Sequence, residues 1–497
     1  MLKKLLKESF IYGLSGYISK FIGVFLLPLY TAVLNPSDYG ILDLLNSVAV
    51  FSSFLIISGT DASVGYYYFR KEFQSEKNIL VSSGLIIRIV FSLVIAAVLM
   101  IISPFLSDLI FHGEGRELIM LYSVYIAFNA IYFFATELLR FSIKPWMYTF
   151  FSTGNVLLNI LSAILFVLVL KLGVTGVIYA SIISYGVFAV FGVIYIIKNY
   201  KLQFSFKWAK NILAYGAPLI GTAVASWVLN YSDRYFLNYL SGLNQIGIYS
   251  VGLKVAAIMG AFSGAFQMAW GPFCSDIQYE PNAKKIYAKV FQLYFVLNTI
   301  LVFLVSIFAS EILRVLTQPA YYSAVYVIPL LCFSMVFTGG YFIAAAGIGL
   351  SKKLQHTIWI MLIAAAVNIL LNTLLTPTWL SIGSAIAILA ANFTIFIFTL
   401  ITSQKYYRIE YRYSFIIALM SASGVLIWLS SHYRIGLWMK ILLGVVYLGL
   451  SGTYLYRSYR NSDEFRKAVE MFSKFRKSKK KFKEDEPLPV EKPEDPF

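Results

Sequence analysis

A chain of 497 residues in which 59% are hydrophobic and 13% charged carries about half the charge of an ordinary soluble domain, which excludes a water-soluble fold. The net charge of +17 invites a nucleic-acid reading, but the basic residues are sorted by topology, so nucleic acid is excluded as an expected partner. Fourteen apolar segments are each long enough, at roughly 20 helical residues, to cross about 30 Å of hydrocarbon. They are continuously apolar rather than alternating, so the expected fold is all-α and not a β-barrel.

In chain order, the first span, residues 9–33, reads as a retained helix and not a signal peptide, because it is long and carries Lys20 at its middle. Gly13, Gly16 and Gly23 share the Lys20 face. Pro28 lies in the same span. The second span, 41–59, is bracketed by Asp43 and Asp61; the third, 79–103, holds Arg88. The fourth, 118–141, holds Glu137 with Arg140 three residues on, close enough for local neutralisation. Asn155, Asn159 and Ser162 line one face of the fifth, 148–170, and the sixth is 174–197.

After a basic link, Lys198 to Lys210, the seventh span (211–232) carries a polar stripe of Thr222, Ser226, Asn230 and Asp233, ending in Asp233-Arg234. The eighth, 246–271, places Lys254 on a small-residue stripe with Ser250, Ala257, Ala261 and Gly264. Spans at 286–310, 324–350, 355–376 and 380–404 follow, with Asn368 and Asn372 in the eleventh. Two more, 413–431 and 436–456, close the membrane part, the last containing Lys440 near enough to its end to snorkel. In the tail, Phe465, Val469, Phe472 and Phe475 recur at helical spacing among basic residues, a pattern suited to an anionic leaflet. The stretch from Glu484 to Phe497 is acidic with four prolines and is expected to be disordered.

Of the 41 Lys and Arg residues, 32 fall on the side of the N-terminus, five on the other and four within spans. This positive-inside asymmetry predicts both termini in the cytoplasm. Cys274 and Cys332 lie near a helix end and inside a helix, which implies no disulfide framework.

The chain also repeats itself. The run from Leu34 to Ile41 is answered by Leu240 to Ile248, with Gly40 and Gly247 in register, 207 residues apart. Gly173 to Ala180 faces Leu380 to Ala387 at the same offset, so Gly176 pairs with Gly383, and Lys144 falls one residue off Lys352. The expected architecture is two parallel six-helix repeats, an N-lobe at 1–200 and a C-lobe at 201–407. Two helices at 408–457 and a tail at 458–497 complete it. Six is even, so the lobes enter from the same side and relate by a pseudo-two-fold axis along the membrane normal, enclosing a cleft that opens alternately to each face.

Charges inside spans mark function, since one at the bilayer centre costs at least about 2.5–3.5 kcal/mol. The basic set is Lys20, Arg88, Lys254 and Lys440, with acidic counterparts few, so the interior is net cationic and suits an anionic ligand. Lys20 and Lys254, from opposite lobes, are the strongest candidates; Arg88 reads equally as a structural group or as a contact near the cavity wall. The polar stripes fit a hydrated cavity for hydroxyl-rich cargo, against the blander reading of interhelical hydrogen bonding. No Walker lysine loop or dinucleotide glycine fingerprint is present, and His112, His356 and His432 are scattered. No catalytic residue, metal ligand or cofactor is therefore expected, and transport must draw on gradients or on the cargo.

Several motifs carry a resemblance. They are Pro28-Leu29-Tyr30 through Asp38-Tyr39-Gly40, Leu139-Arg140 with Lys144 and Tyr148, and Tyr215-Gly216-Ala217-Pro218-Leu219 through Ser232-Asp233-Arg234-Tyr235-Phe236-Leu237. The last continues to Gly247-Ile248-Tyr249-Ser250 and Lys254, and then to Gly349-Leu350-Ser351-Lys352-Lys353 and Asn368 to Asn372. Over about residues 1–405 the chain resembles the polysaccharide transporter, or Wzx-type, lipid-linked oligosaccharide flippases of the MATE-like multidrug, oligosaccharidyl-lipid and polysaccharide exporter superfamily. It departs where a Gly-rich turn is expected before the twelfth span and reads Trp379-Leu380-Ser381-Ile382-Gly383.

The resemblance implies a two-lobed carrier in the bacterial cytoplasmic membrane that moves a polyprenyl-diphosphate-linked glycan to the outer leaflet. Its surroundings would be membrane lipids and a polysaccharide polymerase or ligase. Lys20, Lys254, Arg88 and Arg234 would form the cationic cavity. Thr222, Ser226, Asn230, Asp233, Asn155 and Asn159 would line it, and Asp61 and Glu137 are the candidates for ion coupling. Rival readings are a peptidoglycan-precursor (lipid II) flippase and a cation-coupled multidrug exporter, which would want cavity-facing carboxylates. A scaffold, or a glycan polymerase or ligase, would be a different class, and the longest outer loop, Pro104 to Leu118, is short for such an enzyme.

Overall fold

Asn35 and Pro36 start the first complete helix. The Asn35 side chain accepts from the Asp38 N–H at 2.9 Å, the Asp38 carboxylate accepts from the Asn35 N–H at 3.2 Å, and Pro36 needs no donor at the first helical position. The structure, a computed structural model, describes residues 26–459 except 352, 354 and 434. Lys20 with its glycine face, and the basic and acidic tail, lie outside the described residues.

The helices are α1 (Pro36–Ile57), α2 (Thr60–Tyr68), α3 (Lys77–Ile101), α4 (Ser103–Phe111), α5 (Arg116–Phe141), α6 (Pro145–Ala163, running into a π-turn at Ile164–Val169), α7 (Gly173–Asn199), α8 (Phe206–Ser241), α9 (Leu243–Asp276), α10 (Ala283–Ile307), α11 (Ala309–Leu316), α12 (Ile328–Ala344), α13 (Ala346–Leu350), α14 (Gln355–Tyr406), α15 (Tyr413–His432) and α16 (Leu437–Tyr459). Among the described residues twelve helical segments are long and apolar enough to cross a membrane. The fold is all-helical and the protein is a multi-pass membrane protein.

One of the twelve, α14, is 52 residues long, about 78 Å at 1.5 Å per residue and far more than a bilayer needs. It breaks at Leu380, where φ is 51° and ψ −132°. The Thr376 and Ser384 hydroxyls then meet at 3.0 Å, whereas eight residues of straight helix would hold them about 12 Å apart. The chain reverses there, so the two arms stand where the sequence has its eleventh and twelfth spans. The tenth expected span, 324–350, is assembled from a 3₁₀ segment (Pro319–Tyr326), α12 and the short α13 rather than one continuous rod.

The internal repeat is visible in the helix boundaries. At the 207-residue offset read from Gly40 and Gly247, α3 corresponds to α10, α4 to α11, and α7 to the second arm of α14. The first lobe packs α5 against α3 and α7; the second packs α12 against α9 and α14.

Helix α8 belongs to both lobes. Its first turns place Trp208, Ala209 and Ile212 in a first-lobe core with Val64, Leu80 and Leu85, and Leu229 sits in a second-lobe core with Ile360, Ala364, Ala391 and Ile395. Between them the helix is largely uncovered and contains Pro218, which donates no hydrogen bond to the preceding turn. The packing therefore changes lobes about a dozen residues or more after the boundary expected at residue 200. The described residues form two compact units divided after Tyr433; the second contains α16, with Lys440 in its first turn.

Candidate functional site

The two copies of the repeated motif face one another. A Cβ on Gly40 would fall on the Leu243 carbonyl oxygen, and one on Gly247 would fall on the Pro36 carbonyl oxygen. Pro36 and Leu243 are themselves repeat equivalents, so the contact is self-complementary in the way a two-fold interface is. Glycine at both positions lets α1 and α9 touch backbone to backbone. The same end is closed further by the Tyr321 hydroxyl donating to the Leu34 carbonyl at 2.9 Å, the Thr31 hydroxyl to the Leu316 carbonyl at 3.1 Å, and the Asn238 amide to the Ile110 carbonyl at 2.7 Å. By the charge asymmetry, this is the end expected outside.

One or two turns inward, a buried ionic group joins the lobes. Arg234 on α8 donates from Nε to Asp43 of α1 at 3.0 Å and from Nη1 to Asp233 at 2.6 Å, and its Nη1 also bonds the Asn230 carbonyl. The Tyr249 hydroxyl of α9 donates to the other Asp233 oxygen. Tyr231 lies under the guanidinium at 4.8 Å. Two carboxylates face one guanidinium, so the group is not a cationic site. The expectation that Arg234 contributes positive charge to the cavity is corrected: its charge is balanced within the protein, because an unpaired buried ion would cost several kcal/mol.

Arg88 is corrected in the same way. It is 0% exposed and bonds Asp61 at 2.5 Å, Thr60 Oγ1 at 2.6 Å and the Ala130 carbonyl at 3.2 Å, which makes it a pin between α2, α3 and α5. Glu137 pairs with Arg140 at 2.5 Å, as the spacing of three implies. Asp61 and Glu137 both line a cavity of about 360 Å³ built from α1, α2, α5 and α7.

The chain matches the model of the family described as polysaccharide biosynthesis protein over residues 31–325, more than half its length. The protein belongs to that family. It is 25% identical over 394 residues, 72% of this chain and 75% of the other, to an uncharacterized membrane protein of Methanocaldococcus jannaschii. Its fold is similar to that of the lipid II flippase MurJ in an inward closed conformation, with a TM-score of 0.72 at 16% identity over 90% of this chain and 99% of that one. It is also similar to a multidrug resistance MATE family transporter of the MOP superfamily in an inward-facing conformation, with a TM-score of 0.58 at 16% identity over 81% and 96% of the two chains. The polysaccharide-family resemblance read from the motifs is thus borne out by the family match; at these identities the structural likeness shows the fold.

In this polysaccharide biosynthesis family member, Lys254 is exposed about 16 Å along α9 from its start and has no partner among the described residues. Ala257 is exposed beside it and Gly264 half-exposed, while Ser250 and Ala261 are buried. Thr222 and Asn230 are also exposed, their side chains bonded back to the Leu219 and Ser226 carbonyls of their own helix; Ser226 is half-buried and Asp233 belongs to the ionic group.

The α6 stripe does not reach this face as a set. Asn159 donates to Ser184 of α7 at 3.1 Å, an interhelical bond, and Asn155 is buried with its Nδ2 unpaired among the described residues. In the second lobe, Ser232, Asn368, Asn372, Thr376 and Ser384 form a continuous neutral hydrogen-bond chain with steps of 3.0–3.1 Å. Sequence reasoning placed Asp43 only as a helix-end acid and missed Tyr249, Tyr125 and Tyr185; the four-residue spacing of Tyr125, Asn129, Phe133 and Glu137 was the available signal.

Proposed function

We propose that the protein is a flippase that carries a polyprenyl-diphosphate-linked oligosaccharide from the cytoplasmic to the outer leaflet by alternating access, without a catalytic step. The observation that carries this reading is Lys254: an exposed cation about 16 Å along its helix, without a carboxylate partner among the described residues, beside the exposed Ala257 and half-exposed Gly264. A lipid-facing surface would present large apolar side chains, and a cation in hydrocarbon would cost at least about 2.5–3.5 kcal/mol. Lys254 therefore faces a hydrated cleft, where a diphosphate is its natural counter-ion and the lipid tail stays in the bilayer through a lateral opening. Lys20 is proposed as its first-lobe counterpart, and Thr222, Ser226 and Asn230 as hydrogen-bonding groups for the glycan.

The closed lobe contact at Gly40 and Gly247 supports a state open toward the other end, which the charge asymmetry predicts to be the cytoplasmic one. Outward movement of each negative charge across an inside-negative membrane is favourable by about 2.3 kcal/mol per 100 mV, so the cargo supplies part of its own driving force. Ion coupling would reset the empty carrier; Asp61 and Glu137 are the candidates for a proton, their pairing leaving no net charge for sodium. Each of these acids is already paired with an arginine, which argues against a drug exporter relying on unbalanced cavity carboxylates.

The test is movement of a labelled polyprenyl-diphosphate oligosaccharide across liposomes containing the purified protein, with and without an inside-negative potential. Lipid II and an organic cation serve as parallel cargos. Protein-dependent, potential-sensitive movement of the oligosaccharide is expected; movement of lipid II alone or of the cation alone would replace this reading with one of its rivals.

A further inference from the structure

The first-lobe cavity gathers more than the two coupling candidates, Asp61 and Glu137. Asn46 comes from α1, Asp61 from α2, Tyr125, Asn129 and Glu137 from successive turns of one face of α5, and Tyr185 from α7. All four elements belong to one lobe. At about 360 Å³ the space lies at the lower end of the ~300–1,000 Å³ range of small-ligand clefts and has room for a sugar ring.

The charge balance selects the ligand class. Asp61 is neutralised by Arg88 and Glu137 by Arg140, each at 2.5 Å, so the lining offers no net negative charge to a cation. Among the described residues no group of three or more His, Cys, Asp or Glu could hold a metal ion. The lining residues include no lysine or arginine, so there is no direct cationic contact for a phosphate either.

Acceptors and donors with aromatic walls remain. Asp61 Oδ2 and Glu137 Oε1 accept no hydrogen bond among the described residues. The Tyr125 hydroxyl accepts from Asn129 Nδ2 at 3.3 Å, which leaves its own proton to donate. The Tyr125 and Tyr185 rings meet edge to face at 5.3 Å. Hydrogen-bonding groups of both kinds beside aromatic faces, with no net charge, match a neutral polyhydroxylated ring. Its hydroxyls would satisfy the carboxylate and amide oxygens and its C–H face would lie on tyrosine.

We infer that this cavity is a sugar-binding subsite for one ring of the carried glycan; the inference rests on the flippase reading for its cargo. A subsite made by a single lobe keeps its geometry while the lobes move relative to each other, so the ring would travel with the first lobe and the contacts at the cleft would change around it.

The experiment uses the full-length protein in lipid nanodiscs. Saturation-transfer NMR is recorded with free glucose, N-acetylglucosamine and rhamnose as probes, and with tetraethylammonium and inorganic pyrophosphate as the competing chemistries. The variants are Asn129→Leu, Tyr185→Leu and the milder Asn46→Ala, each checked for monodispersity. At least one monosaccharide is expected to show transfer, weakened roughly fivefold by loss of a single hydrogen bond to Asn129 and reduced in whichever other variants fold. Absence of transfer to every monosaccharide in the wild type, equal transfer in every folded variant, or transfer to tetraethylammonium or pyrophosphate alone would overturn the subsite. Liposome translocation measured on the same preparation separates the two readings. Movement of the lipid-linked glycan without sugar binding removes the subsite and leaves the flippase. Variant-sensitive sugar binding without translocation supports the subsite and removes the flippase reading.

Discussion

The two lobes repeat one backbone and differ in how they hold polar groups in the membrane. In the first lobe the polarity is ionic, with Arg88 buried against Asp61 and the part-exposed Glu137 paired with Arg140. The second carries a neutral chain from Ser232 through Asn368, Asn372 and Thr376 to Ser384, with Lys254 apart and without a partner among the described residues. The residue at the turn differs too, while its positive φ is kept. Gly173 (φ 59°) and Leu380 (φ 51°) are repeat equivalents, both with positive φ. Helix ends and touching glycines recur at the same offset, while the side-chain chemistry separates into a lobe pinned by ion pairs and a lobe with a neutral hydrogen-bond chain.

The comparison breaks most decisively at Arg88. Arg88→Met strands Asp61 and is expected to destabilise the protein by about 3–5 kcal/mol, read as a large fall in thermal unfolding temperature in detergent. Arg88→Met with Asp61→Asn should recover a substantial part, and no recovery would mean the pair is not what holds α2 to α3. Next in size is the lobe contact. Gly247→Val forces side-chain atoms onto the Pro36 carbonyl, an overpacking cost of about 1–3 kcal/mol directed at the closed outer end. An engineered thiol near Leu34 should then react faster with a membrane-impermeant reagent added outside, and unchanged reactivity would count against closure at this contact.

Lys254→Ala is expected to leave thermal stability unchanged, since the side chain is exposed, while lowering translocation of the lipid-linked glycan roughly tenfold, about 1.4 kcal/mol. Lys254→Arg should retain most of the rate. A loss of stability instead would make Lys254 a structural cation like Arg88. The smallest effect tests the turn. Leu380→Gly removes a side chain from a backbone region that glycine tolerates and other residues occupy at a cost of about 1–3 kcal/mol, so a modest rise in unfolding temperature is expected, whereas Gly173→Leu should lower it.

Much of this molecule was legible along the chain. A helix that crosses hydrocarbon must be apolar over about 20 consecutive residues, and a duplicated unit keeps its offset, so spans and repeat could be read from runs and spacings, while the family came from the resemblance of the motifs. Gly40 and Gly247 announced themselves as an echo, and Glu137 with Arg140 as a helical pair, because both signals are local or periodic. The identity of ionic partners was not legible in this way. Asp43 and Arg234 are 191 residues apart, and Arg88 and Asp61 lie on different helices, so the sequence showed intramembrane charges without showing which were already balanced. Packing settled that: a charge in a low-dielectric interior takes whichever counter-charge the neighbouring helix brings within reach. The same assembly of α1, α2, α5 and α7 brought scattered tyrosines, amides and acids together around one cavity. Hydropathy and spacing are properties of the chain, whereas charge balance and cavity chemistry belong to helices that become neighbours only when folded.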